Sequence, residues 1–291
     1  MLEKELETAI ALAKKAGEAI REYYVLEIIR EEKLGVDNFA EPVTAADREA
    51  SRIIAGGLDA AFPNDGILSE EEIDDSDRRL NCDRVWIIDP IDGTSGFIRK
   101  DGDFAVQIGL AEHGLPVLGV VLFPARNAFY YAVKESGSHL VENENTPIRM
   151  HVSDETDFSK MNLAVSRNHR SLNMSRIVRD FGFNKEIQRG SVGLKVGLII
   201  EQACDLYVHL SARTKSWDTC GPQIILEEAG GQMTDLFGKP MQYDLHDVQN
   251  HNGIVASNGS SHQAAIERLR PLLAEIGRLK LKGTSTSPSK K

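Results

Sequence analysis

A chain of 291 residues, 41% hydrophobic and 27% charged, is long enough for one large domain or for two halves sharing an interface. Its 44 Asp and Glu outnumber its 34 Lys and Arg, for a formal net charge of −10. That balance excludes a general binder of nucleic-acid polymers or anionic membranes, which needs basic surface. Three cysteines without a CxxC pair, no apolar run of bilayer length and a charged amphipathic amino terminus lead us to expect reduced thiols in a cytoplasmic protein.

In chain order, Leu2, Leu6, Ile10, Ala13, Ala16 and Ile20 recur at helical spacing and predict a helix over residues 2–30. A second helix is expected from Thr44 to near Pro63, then a strand at Gly66–Ser69 and a buried strand at Val85–Ile88. Phe104–Ala111, Pro116–Phe123 and Ala128–Val133 read as strands separated by turns at His113-Gly114 and 125–127. The second half alternates: strand at Asn162–Val165, helix at Val192–Glu201, strand at Asp205–Leu210, helix at Thr219–Ala229 and strand at Gly253–Ser257. Gly230-Gly231 stops the helix before it. A last helix is expected from Ser261 to Leu281, bent at Pro271, followed by a disordered polar tail at 282–291. These elements predict an α/β (α+β) sandwich with a mixed or antiparallel sheet in the first half and an α/β second half. The expected units are 1–147 and 148–281.

The segment Asp89-Pro-Ile-Asp92-Gly-Thr94 places two carboxylates at the end of a buried strand. Pro90 keeps Asp89 out of the helical region and Gly93 permits a tight turn, so both acids and the Ile91 carbonyl can face one cavity. Hard oxygen donors of this kind suit Mg²⁺ or Mn²⁺. The alternative is a turn in which an Asp caps the next helix. Two further acidic stretches bear on the choice, Ser69-Glu70-Glu71-Glu72 after a strand and Trp217-Asp218-Thr219 at a helix start. Each has a structural alternative, a solvated loop for the first and an N-terminal cap for the second. Thr44 and Asp47 likewise fit a capping box.

The ordered set D-P-I-D-G-T, S-E-E (69–71) and W-D (217–218) resembles the inositol monophosphatase superfamily of metal-dependent phosphatases, over about Val43 to Asn258. The resemblance implies a layered α-β-α-β-α sandwich of the sugar-phosphatase type. It implies Glu70, Asp89, Asp92, Asp218 and the Ile91 carbonyl as ligands to two or three Mg²⁺ ions, with Mn²⁺ an alternative, and Asp47 with Thr94 as the pair that activates a water. Backbone N–H groups of Gly93, Thr94 and Ser95 would hold phosphate oxygens if a helix begins there. A homodimer is also within the resemblance, though no segment marks an interface.

Several second-half elements resemble the 3′(2′),5′-bisphosphate nucleotidase branch: 165–171 (V-S-R-N-H-R-S), 190–195 (G-S-V-G-L-K), 217–222 (W-D-T-C-G-P) and 230–235 (G-G-Q-M-T-D). The resemblance therefore implies a small phosphate ester, adenosine 3′,5′-bisphosphate, cleaved at its 3′-phosphate to AMP. His169, Ser191, Lys195 and Arg213, with Lys215 beside them, are the expected substrate contacts. Ser95 departs from the branch, which commonly has lysine after D-G-T, and points to an inositol or other sugar phosphate instead. Gly221 is a lesser departure. A non-catalytic metal- and phosphate-binding module is the third reading, and the full set Asp47, Glu70, Asp89, Asp92, Thr94 and Asp218 speaks against it.

Overall fold

The structure, a computed structural model, describes residues 2–26, 28–36, 40–167 and 171–278. Helices α1 (Glu3–Val25) and α2 (Ala45–Ala61) flank a hairpin of β1 (Glu31–Leu34) and β2 (Ala40–Val43). Next come β3 (Gly66–Ser69), α3 (Ser76–Leu80), β4 (Arg84–Asp92), α4 (Thr94–Arg99), β5 (Ala105–Glu112), β6 (Leu115–Phe123), β7 (Ala128–Val133), β8 (Gly137–Glu142) and β9 (Ile148–Met150). The second half runs β10 (Asn162–Ser166), α5 (Leu172–Phe181), β11 (Lys185–Arg189), α6 (Val192–Ile200), β12 (Leu206–His209), α7 (Ser216–Glu228), β13 (Gln232–Thr234), β14 (Ile254–Ser257) and α8 (His262–Glu275).

Strands β3 to β9 form a seven-stranded sheet in chain order. β3 and β4 are parallel and the later pairs antiparallel. The second sheet has the order β11-β10-β12-β14-β13, with β10 parallel to β11 and β12 and the β14 pairings antiparallel. Among the described residues, four apolar clusters stack these layers, one of them joining β3–β5 to α7. Ala9, Ala13, Ala16 and Ile20 of α1, with Ala46, Ala50, Ile54 and Leu58 of α2, pack on one face of the larger sheet. Its other face shares a core with α6, α7 and the smaller sheet. The far side of that sheet is covered by α5 and α8. The α-β-α-β-α sandwich follows, and its middle helices bind the two halves together.

Strand β4 shows how the residues choose their layer. Trp86 and Ile88 face the α2 side, while Val85 and Ile87 face α7, in the period-two alternation of a strand. Trp86 is fully buried, worth about 1.5–3 kcal/mol, and its Nε1–H donates to Asp65 Oδ2 at 3.0 Å.

Several boundaries differ from the sequence-based ones. α1 stops at Val25 rather than 30, because Val25, Leu26 and Ile29 are exposed and no packing holds a further turn. β4 continues through Asp92, with a register shift between Asp89 and Asp92, so the two acids lie within the strand. α7 begins at Ser216, where Asp218 caps it by accepting from Lys215 N at 2.6 Å. α8 ends at Glu275, before Gly277 at φ +75°, and the tail expected at 282–291 lies outside the described residues. The hairpin β1–β2, α3, β8, β9, α5, β11 and β13 were not expected, and α4 only as a helix that could begin at 93–95. No helix among the described residues is long and apolar enough to cross a membrane.

Candidate active site and metal centre

Sheet register brings the first acids together. Parallel pairing sets Ser69 beside Ile88, and Glu70 N donates to Ile88 O at 3.2 Å, so Glu70 leaves β3 next to Asp89. Beyond the shift in β4, Gly93 takes φ +96°, and a Cβ there would meet Asp103 O at 2.7 Å. This turn starts α4 at Thr94 and leaves the first N–H groups of that helix outside its own bonding pattern. Asp218 arrives from the other half in the first turn of α7. Donor atoms of Asp89, Asp92 and Asp218 all lie within 4.8 Å of one another.

Asp92 is braced from one side. Its Oδ2 accepts from Ser191 Oγ at 2.5 Å, Val192 N at 2.7 Å and Gly193 N at 3.2 Å, the start of α6. Ser191, expected among the substrate contacts, is therefore fully buried, caps α6 through Leu194 N and holds Asp92 instead of lining the cavity. Lys195 is 1% exposed; its ammonium donates to Gly190 O at 3.1 Å and lies 4.8 Å from the centre of the Tyr207 ring.

Asp47 bonds both to the start of α2 and to Thr94. Its Oδ2 accepts from Thr44 N at 2.8 Å and Thr44 Oγ1 at 2.6 Å, which caps α2. Its Oδ1 is 3.2 Å from Thr94 Oγ1, and that hydroxyl is also 3.2 Å from Ile91 O, so its one proton can go to either. Burial lifts the Asp47 carboxyl to about 6.

The electrostatics call for cations. Burial raises Asp89 well above the usual carboxylate range, and the charges of Glu70, Asp92 and Asp218 push it further. Burial, with Asp92 and Glu70, does the same to Asp218. Asp89 Oδ1 is buried without a hydrogen-bond partner. An all-carboxylate and carbonyl donor set with an orphaned oxygen fits hard divalent ions such as Mg²⁺ and Mn²⁺. Glu70, Asp89, Ile91, Asp92 and Asp218 are the residues that would hold them. Burial pulls the Lys195 ammonium down to about 8 although Asp92, Asp103 and Asp218 face it.

Two contacts escaped the sequence reading. Lys33, on β1, donates to Glu70 Oε1 at 3.0 Å and to Glu71. Burial works against its charge, but Glu70 and Glu71 override it and raise its pKa. Lys215 pairs with Glu41 on β2. The hairpin is thus tied to both ends of the acid cluster by pairings 37 and 174 residues apart in sequence, which no local pattern reveals.

The acids open into a cavity of about 470 Å³ lined also by Gly93, Thr94, Ser95, Lys195, Tyr207 and Arg213. Ser166, His209, Ser211 and Arg213 separate it from a recess of about 600 Å³, whose lining includes Arg167, Arg278, Met174 and Leu210. His169 lies outside the described residues.

This fold and acid cluster define a metal-dependent phosphatase. The chain belongs to the inositol monophosphatase family, whose model matches residues 1–274. It is 32% identical over 242 residues to the 3′(2′),5′-bisphosphate nucleotidase CysQ of Escherichia coli K12, covering 82% of this chain and 93% of that one. The Haemophilus influenzae CysQ is also 32% identical, over 84% of this chain and 88% of that one. Among solved structures, a Thermotoga maritima IMPase superposes with a TM-score of 0.77 at 28% identity, covering 94% of this chain and all 100% of the other. CysQ of Bacteroides thetaiotaomicron gives 0.73 at 28% identity, over 88% and 97%.

Proposed function

We propose that the chain hydrolyses the 3′-phosphate of adenosine 3′,5′-bisphosphate, giving AMP and phosphate, with two or three Mg²⁺ ions in place. The observation that carries the hydrolytic reading is the convergence of Asp89, Asp92 and Asp218, with Asp89 Oδ1 unpartnered, near the Thr94–Asp47 hydrogen bond. Identity with the CysQ nucleotidases and the arginine-bearing recess beside the acids support a substrate with a second phosphate.

When bound, the ions supply the positive charge that admits a dianionic ester to an acidic cavity and acidify a water there. Thr94 Oγ1 and Asp47 take up the water's proton while its oxygen forms the new bond to phosphorus. The P–O bond to the ribose breaks in line and the leaving 3′-oxygen takes a proton from a solvent water; because water itself attacks phosphorus, no phosphoenzyme forms. The outward N–H groups at the start of α4 hold phosphate oxygens. Arg213 stands where the cavity meets the recess and faces the second phosphate.

Ser95, which lines the acidic cavity where the nucleotidase branch commonly has lysine, favours an inositol monophosphate as second reading. Phosphate release with Mg²⁺ from adenosine 3′,5′-bisphosphate and inositol 1-phosphate separates the two. We expect the bisphosphate to give the higher kcat/KM, and Asp89→Asn to lose at least about a thousandfold of it. Inositol phosphate first would replace the substrate, and no release from either would overturn the enzymatic reading.

A further inference from the structure

Gln107 sits in the middle of β5, fully buried, and neither its Oε1 nor its Nε2 has a hydrogen-bond partner. An amide buried in this way carries the full desolvation cost of its unpaired groups. The antiparallel register of β4 and β5 places Gln107 directly opposite Asp89. Directly opposed residues share a face of the sheet, with Cβ atoms about 4.5–5.5 Å apart.

That face looks onto α6 and α7. A Cβ on Gly193 would lie 2.8 Å from Gln107 Oε1, and one on Gly109 would lie 2.6 Å from Cys220 Sγ. Val121 is the neighbour across β6, and Ala105 and Gly109 are the same-face neighbours along β5. Among these described neighbours the polar side chain is Asp89, and its Oδ1 is the other orphaned atom of the cluster. Gly193, packed on the amide, is also one of the donors that brace Asp92.

We propose that Gln107 is a positioning residue for the metal centre: its Nε2–H reaches Asp89 Oδ1 through one enclosed water and fixes the orientation of the carboxylate that faces the ion. The inference rests on the reading of Asp89 as a metal ligand. Partners that orient a ligand commonly matter about 10- to 100-fold in metal affinity, and an amide can do so without adding charge to a crowded site. A core-filling role would leave metal binding untouched.

The test is Mn²⁺ titration calorimetry on the metal-free chain, wild type against Gln107→Leu, with Gln107→Met as a second apolar replacement should Leu not fold. We expect thermal stability without metal to hold or rise, because an unpaired amide is removed, while Mn²⁺ binds about tenfold more weakly. In turnover, the Mg²⁺ concentration for half-maximal rate should rise while kcat at saturating Mg²⁺ recovers. Apolar variants that fold and bind Mn²⁺ as wild type does would overturn the proposal. A wild-type chain that takes up no Mn²⁺ would overturn the metal reading beneath it, and that result is visible before any variant is compared.

Discussion

Lys195 stands in the first turn of α6 with its ammonium folded back onto Gly190 O, over Tyr207 and toward Asp92, Asp103 and Asp218. Its sequence context suggests a grip on a non-reacting phosphate, whereas in the structure its ammonium is held by Gly190 O and the Tyr207 ring and faces the acids. Lys195→Met should therefore lower kcat/KM for a bisphosphate and for a monophosphate by the same factor, about 10- to 100-fold. A rise in KM confined to bisphosphates would give Lys195 the second phosphate instead. The same distinction marks what was legible residue by residue. D-P-I-D-G-T named the acids because their chemistry resides in a contiguous segment. Ser191 was noticed but assigned a contact its buried hydroxyl does not make, since spacing shows that a hydroxyl starts a helix but not which carboxylate it meets. Lys33 gave no signal, because its partners lie in the turn after β3, 37 and 38 residues further along the chain.

Close approach of α7 to the large sheet brings Asp218 to the acids of β4. Glycines make that approach: a Cβ on Gly119 would lie 2.4 Å from Gly221 O and 2.6 Å from Ile224 Cγ2, while one on Gly221 would lie 3.0 Å from Ile108 O. Gly221, a departure from the nucleotidase pattern in sequence, thus has a packing reason. Gly119→Ala must push α7 outward, at a cost of roughly 1–3 kcal/mol in urea unfolding, and should weaken Mn²⁺ binding because Asp218 moves with the helix. Unchanged stability would mean that the sheet yields in place of the helix. Long apolar elements such as β5, β6, β7 and α6 were readable from their runs. The hairpin β1–β2, β9 and β11 were not, because their exposed, charged residues carry no hydrophobic period and pairing alone makes them strands. α4 was legible only at its start: it spans Thr94–Arg99 and begins inside the motif that first drew attention as a turn.

At the scale of the molecule, the two sheets draw on separate stretches of chain, 66–150 and 162–257, and the sequence pattern changes between them. Their union was not readable, because it depends on α6 and α7 packing against a sheet built earlier in the chain. The acid cluster lies on the same seam: Glu70, Asp89 and Asp92 come from one half and Asp218 from the other. A cation held by all four binds the folded chain and not the unfolded one, so it should stabilise both halves together. At 100 times its dissociation constant, Mg²⁺ should add about 2.7 kcal/mol, a rise in Tm of roughly 4–5 °C for a chain of this size, reversed by EDTA. Calorimetry should show one transition with and without the ion, since the shared core couples the halves in either state. Asp218→Asn keeps a side-chain acceptor for the α7 cap yet removes the charge supplied by the second half, and should lose most of the Mg²⁺ shift. Two transitions in the metal-free chain, merging on Mg²⁺ addition, would instead make the ion the principal bond between the halves and the α6–α7 core a minor one.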